Sequence, residues 1–290
     1  MKQRILQMVI LGVRQFRDPY YQGFAAQISF YLLLSLVPIL MLLTQILGYF
    51  DLSLETVLGW LEEYTGSEIT GMMSSLTEFS SAGAAVNIVF IVVALWASSR
   101  AMFAIMRISN YTFTGGKSTG KGYFRERFRA LWTMGIILIT LVFSVLILAY
   151  GGLIVEAFMK ILPLDGQYLL KLFTLLRWVP AAALYFLMVC FIYFVMPTEK
   201  IKFRKILPGG LFACIGMMLV TLLYSKYINN MANYDILYGT LSSIVAILFW
   251  FYFLAWVLCL GILINKVLDD TSDFSKRTRV DRSMLDHHRD

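Results

Sequence analysis

Apolar residues in this chain run on for helix-length stretches with few polar interruptions. A membrane-spanning helix takes about 20 mostly apolar residues, because each residue rises ~1.5 Å across a hydrocarbon layer ~30 Å thick. Six stretches have this character: Phe24 to Phe50, Ala84 to Arg107, Leu131 to Ala157, Phe173 to Met196, Leu207 to Tyr224 and Leu241 to Val267. The fifth is the shortest and is Gly-rich at its start. The pattern predicts an all-α fold, a polytopic membrane bundle of six transmembrane helices.

The charges between these stretches alternate. Residues 1–23 carry four Lys and Arg, the second connection with its helix end six, the fourth connection four and the C-terminal end six. The first connection, 51–83, carries no Lys or Arg and six acids; the third and fifth carry two and one basic residues. Twenty basic residues thus fall on one side and three on the other, with Arg100 and Arg177 inside spans. Because Lys and Arg accumulate in cytosolic loops, this alternation predicts cytosolic N and C termini.

Composition agrees with this reading and removes one alternative. Hydrophobic residues make up 59% of the 290 residues and charged residues 15%, against roughly 45–50% and 25% in soluble domains. Mean hydropathy is +0.72. A net charge of +7 on a soluble domain would suggest nucleic acid; here the positive-side loops account for it, and no nucleic-acid partner is expected. Cys190, Cys214 and Cys259 all lie in apolar runs, an odd number with no metal-ligand spacing, and read as small buried hydrophobes. The first 18 residues do not read as a signal peptide, since Gln7 interrupts the apolar run and Arg14, Arg17 and Asp18 stand where a cleavage site would be.

Three domains follow. Residues 1–23 form a basic amphipathic segment suited to the anionic cytosolic leaflet. Residues 24–268 form the membrane domain, with the acidic connection 51–83 facing outward. In that connection Leu54, Val57, Leu58 and Leu61 recur at helical spacing and predict a short surface helix. Residues 269–290 read as a charged, solvated cytosolic tail.

Among candidate chemistry, Arg100 carries the most information. A charge inside a span is expensive and faces a bundle interior or a watery cavity, or else snorkels to the headgroups. In the first case its guanidinium fork is a phosphate grip. Gln27, Tyr31 and Ser35 recur every four residues on one face of the first span, where they either bond neighbouring helices or line a cavity. Pro38 and Pro180 are expected to kink the first and fourth spans.

Residues 115–122, Gly-Gly-Lys-Ser-Thr-Gly-Lys-Gly, match part of a phosphate-binding loop. Gly122 stands where Ser or Thr should hold the metal, and the βαβ context is absent, so a flexible loop is expected. The two histidines, His287 and His288, lie in the tail, which leaves the spans without a histidine base. No metal or other cofactor is expected.

The chain resembles the YihY / virulence factor BrkB family of six-span membrane proteins. The resemblance rests on Ala25-Ala26-Gln27-Ile28-Ser29-Phe30-Tyr31 with Leu34 to Pro38, on Leu95-Trp96-Ala97-Ser98-Ser99-Arg100-Ala101 with Asn110, on Leu207-Pro208-Gly209-Gly210 with Tyr224 and Tyr227, and on Leu237-Tyr238-Gly239-Thr240-Leu241 with Trp250, Tyr252 and Gly261. The family often has Gly-Ala-Glu near the end of the last span; here Ile262 and Leu263 follow Gly261, and the acid is missing. The resemblance implies a bacterial plasma (inner) membrane location. The family also carries the label ribonuclease BN, but metal-assisted phosphodiester cleavage needs convergent carboxylates or histidines, and the cytosolic acids are scattered.

Together these features point to a transporter or translocase of an anionic envelope lipid or lipid-linked precursor, and not to an enzyme. Its site is expected to contain Arg100, Ser98, Ser99, Gln27, Tyr31 and Asn110. The alternative is a non-catalytic membrane protein assisting envelope assembly, through the acidic 51–83 connection. Expected partners are anionic membrane lipids, with a second copy of the chain or an envelope protein as further options.

Overall fold

In lipid, backbone N–H and C=O groups are satisfied within the segment itself, so apolar runs of this length fold as helices. The computed structural model describes residues 17–48, 84–120, 122–161, 178–199, 201–230 and 241–287, together with Leu6, Ile10 and Val13. Their helices are α1 (Tyr20–Gly48), α2 (Ala84–Phe113), α3 (Tyr123–Ile161), α4 (Trp178–Val195), α5 (Leu207–Asn230) and α6 (Leu241–His287), with a 3-10 turn at Phe203–Lys205. The acidic connection 51–83 with its expected short helix lies outside the described residues.

The chain is an all-α polytopic membrane bundle. Each of the six apolar stretches overlaps a helix, with residues 49–50 and 173–177 outside the described residues. Among the described residues, three helical stretches are long and apolar enough to cross a membrane: Tyr123–Ser144, Leu207–Tyr227 and Ile244–Thr271; Ala182–Val195 is a shorter apolar helix. α1 packs against α2 and α6, α5 against α6, and α3 against α2 and α4. Helix α1 continues on both sides of Pro38, and Pro180 is the third described residue of α4. The side chains of both prolines lie outside the described residues.

Helix boundaries differ from the apolar runs in two places that matter. First, α3 begins at Tyr123, about two turns before the apolar run at Leu131, because Arg125, Glu126, Arg127 and Arg129 are good helix formers. Charges that read as a connection are therefore carried on the first turns of a helix. Second, α6 runs on through the charged segment to His287 instead of ending in an irregular tail. No Pro or Gly follows Gly261, so nothing in the sequence stops the helix.

The end of the bundle that carries the basic segments is held by hydrogen bonds. Asp18 Oδ1 accepts from the Tyr20 N–H at 3.1 Å, capping α1 just after Pro19. Asp18 Oδ2 accepts from the Tyr111 hydroxyl at 2.6 Å, which ties α1 to the end of α2. Tyr21 and Thr112 hydroxyls bond at 2.8 Å in the same region. Burial first, then the hydrogen bond to Asp18 and its charge, push the Tyr111 phenol up to about 12. The phenol is therefore a protonated donor at neutral pH. The stability it contributes is complete below the ordinary tyrosine value of 10.0 and is lost as pH rises through about 12. A double-mutant cycle of Asp18→Asn and Tyr111→Phe on thermal unfolding should give a coupling of about 1 kcal/mol, since the pair is partly exposed.

Residues 114–120 fold back on the end of α2 through hydrogen bonds. Gly115 and Gly116 have φ of 63° and 83°, the left-handed backbone that glycine adopts freely. The Gly116 N–H returns to the Tyr111 carbonyl at 2.8 Å, the six-to-one bond of a Schellman cap. Thr114 and Ser118 cross-bond through Oγ1, at 2.9 and 3.1 Å. The glycine pair thus terminates α2.

Near the amino end, Leu6, Ile10 and Val13 are helical and 60%, 56% and 50% exposed. Their spacing puts these three on one face of a helix.

Candidate functional site

The clearest cluster of unsatisfied charge lies where α1, α2 and the first turns of α3 meet. Helix α2 runs antiparallel to the start of α3, so that Phe103 packs edge-on to Tyr123 with centroids 5.6 Å apart. Within this interface the Arg100 guanidinium lies 4.8 Å from the Trp96 ring centroid and 5.9 Å from that of Tyr31. Trp96 is one helical turn before Arg100, and Tyr31 comes from α1. Flat guanidinium on aromatic faces is a favourable cation–π arrangement. It fixes the orientation of the fork.

Arg127 approaches the same point from α3. Its Nη2 donates to the Trp96 carbonyl at 3.3 Å. Trp96 is thus a partner of both arginines, through its ring to one and its carbonyl to the other. The positive charge of Arg100 acts on Arg127, and the Tyr31 and Tyr123 phenols are within electrostatic reach of it. Arg100 Nε and Arg127 Nη1 are buried and have no hydrogen-bond partner among the described residues. Neither arginine forms an ion pair among the described residues. Like charges held together with idle donors are costly unless an anion joins them.

The remaining predicted residues divide. Tyr31 joins Arg100 directly. Gln27, half-buried, lies one turn from Tyr31 on the same face of α1. Ser98 is buried with its hydroxyl unpaired, but two positions along a helix do not share a face, so it is not beside Arg100. Ser99 turns its hydroxyl onto the Trp96 carbonyl at 2.7 Å. Asn110 lies almost three turns beyond Arg100 and does not join it. Its Oδ1 accepts from the Thr198 N–H at 2.7 Å, and its Nδ2 donates to the Thr119 carbonyl at 3.2 Å. That makes Asn110 a clamp between the end of α2, the glycine turn and the segment after α4. Arg127 was counted as loop charge in the sequence; the one available signal was its helix-forming neighbours.

A cavity of about 460 Å³ opens on the other side of α3, lined by Gly122, Arg125, Glu126, Phe128, Arg129 and Thr198. The Arg129 guanidinium there donates to the Pro197 carbonyl and to Thr198 Oγ1, both at 3.4 Å. Glu126 is buried, and its carboxylate lies against Gly120, where a Cβ would collide with it. This acid therefore serves the glycine turn and the Arg129 side of the helix. Among the described residues, no three of His, Cys, Asp and Glu converge as metal ligands would.

The apolar helix bundle defines the chain as a multi-pass α-helical membrane protein. Residues 13–283 match the family model described as Virulence factor BrkB, and the chain belongs to that family. It is 26% identical over 252 residues to the "Putative ribonuclease-like protein YfkH" of Bacillus subtilis (strain 168), a match covering 85% of this chain and 90% of that protein. It is 33% identical over 115 residues to a "UPF0761 membrane protein" of Xanthomonas oryzae pv. oryzae (strain PXO99A), covering 38% of this chain and 26% of that protein. A similar protein of Xanthomonas axonopodis pv. citri (strain 306) matches to the same extent. The matched region is about a quarter of the Xanthomonas proteins' length. No solved structure matches the chain.

Proposed function

We propose that this protein binds an anionic, phosphate-bearing envelope lipid, or a lipid-linked precursor, and carries it across the bacterial plasma membrane. The carrying observation is the meeting of Arg100 and Arg127 at Trp96, each with a buried N–H left over. In this reading all six helices span the membrane, both termini are cytosolic, and the arginine pair faces the cytosolic headgroup layer. Lipid phosphates would reach it between α1 and α3, over the exposed aromatic side chains of Trp96 and Tyr123. Basic rims on that side raise the local concentration of anionic headgroups. The ribonuclease-like name of the Bacillus relative finds no support in the site, where no carboxylate pairs with either arginine among the described residues.

The test is mass spectrometry of lipid retained by protein purified in mild detergent, wild type beside Arg100→Ala. The expected result is one class of phosphate-bearing lipid enriched over bulk membrane in the wild type and absent from the variant. Bulk lipid alone in both samples would remove the translocase reading and favour a role in envelope assembly.

A further inference from the structure

The proposed function leaves the charge of the headgroup open; the geometry at Trp96 addresses it. We infer that Arg100 and Arg127 together hold a phosphate monoester, a headgroup carrying close to two negative charges, in preference to the singly charged phosphodiester of bulk phospholipids. This inference rests on the lipid-binding reading above and narrows its ligand.

Charge balance is the first argument. Two half-buried guanidinium groups meet at one tryptophan, and no carboxylate forms an ion pair with either among the described residues. The nearest acid in sequence, Glu126, turns away to Gly120. A diester brings one negative charge and leaves one guanidinium uncompensated. A monoester brings about −1.5 to −2 at neutral pH, which balances the pair.

Donor geometry is the second argument. The idle nitrogens are Arg100 Nε and Arg127 Nη1, on side chains that come from different helices. Arg127 is further fixed by its bond to the Trp96 carbonyl, and Arg100 by the rings of Trp96 and Tyr31. Two forks held at an angle need acceptors on more than one side of the phosphorus. A monoester offers three terminal oxygens, a diester two. Tyr31, whose ring lies under the Arg100 guanidinium, adds a hydroxyl to the donor set.

The test uses full-length protein in detergent and three probes in native mass spectrometry and calorimetry: dioctanoyl phosphatidic acid, dioctanoyl phosphatidylglycerol and water-soluble glycerol 3-phosphate. Phosphatidic acid should bind about tenfold or more tighter than phosphatidylglycerol, the scale of one additional charge-assisted hydrogen bond. In Arg127→Gln the preference should disappear, with phosphatidylglycerol binding little changed. Arg127→Lys keeps the charge and loses the fork; it should recover part of the preference, and it reports on the site if the glutamine variant fails to fold. Equal affinity for the two lipids in the wild type overturns the monoester inference and leaves the lipid reading intact. Glycerol 3-phosphate binding as tightly as phosphatidic acid supports the monoester site and overturns the lipid reading. Absence of binding by all three probes overturns both.

Discussion

Replacing Gly209 by valine is expected to abolish folded protein, measured as the loss of the monodisperse peak on size-exclusion chromatography in detergent. Gly209 stands in the first turn of α5, against α6. A Cβ built there would collide with the backbone carbonyl of Gly261 and with the Asn265 carboxamide. The Gly209 N–H is one of the free donors of a helix start, and Asn265 Oδ1 accepts it at 2.7 Å. A Cβ on Gly261 would in turn meet the Tyr193 hydroxyl and the Gly209 carbonyl, and that hydroxyl donates to the Leu258 carbonyl at 2.8 Å. Three helices therefore meet over two hydrogens of glycine. Small residues allow such approach in membrane bundles, and here the obstructing atom is backbone, which cannot swing aside.

Alanine at 209 already violates the contact and should lower stability by more than the ~1–3 kcal/mol typical of overpacking. Gly23→Ala is the control, since nothing lies within 4 Å of its Cβ position; it should leave the melting temperature nearly unchanged or slightly raised.

The second large effect is expected at Asn110. Substitution by leucine leaves the Thr198 N–H without its acceptor and the Thr119 carbonyl without its donor, in a residue only 3% exposed. Each orphaned group costs about 1–3 kcal/mol, and the sum is a large fraction of a stability of about 5–15 kcal/mol. Asn110→Asp keeps an acceptor for Thr198 and sets a carboxylate against the Thr119 carbonyl, so it should fall between leucine and wild type. Limited proteolysis reads the effect locally. Cleavage within 114–122 and 196–202 should rise in both variants, most in the leucine one. Unchanged cleavage would show that the clamp does not hold these segments. A lipid-binding loss in Asn110→Leu, without a change in proteolysis, would instead return this residue to the ligand site.

Much of the architecture could be read from the order of residues alone. Helix-length apolar runs, with basic and acidic connections between them, imposed a membrane bundle, because lipid admits only segments that satisfy their own backbone. The same reading singled out Arg100, since an uncompensated charge in an apolar run is visible in one dimension. Its partner was not visible. Arg127 sits among Arg125, Glu126 and Arg129, and composition makes it one more charge of a positive connection. It became part of the site because α3 starts about two turns early and its first face turns toward Trp96.

Asn110 shows the converse. Its motif placed it with Arg100, while the folded chain spends its amide on the turn that follows α2 and on the Thr198 backbone, which only tertiary packing brings close. Helical periodicity and apolar length are local properties, so the sequence by itself determined the helices, the membrane and an arginine within an apolar run. Which side chains converge depends on where helices begin and how they cross, and only the tertiary structure decided that.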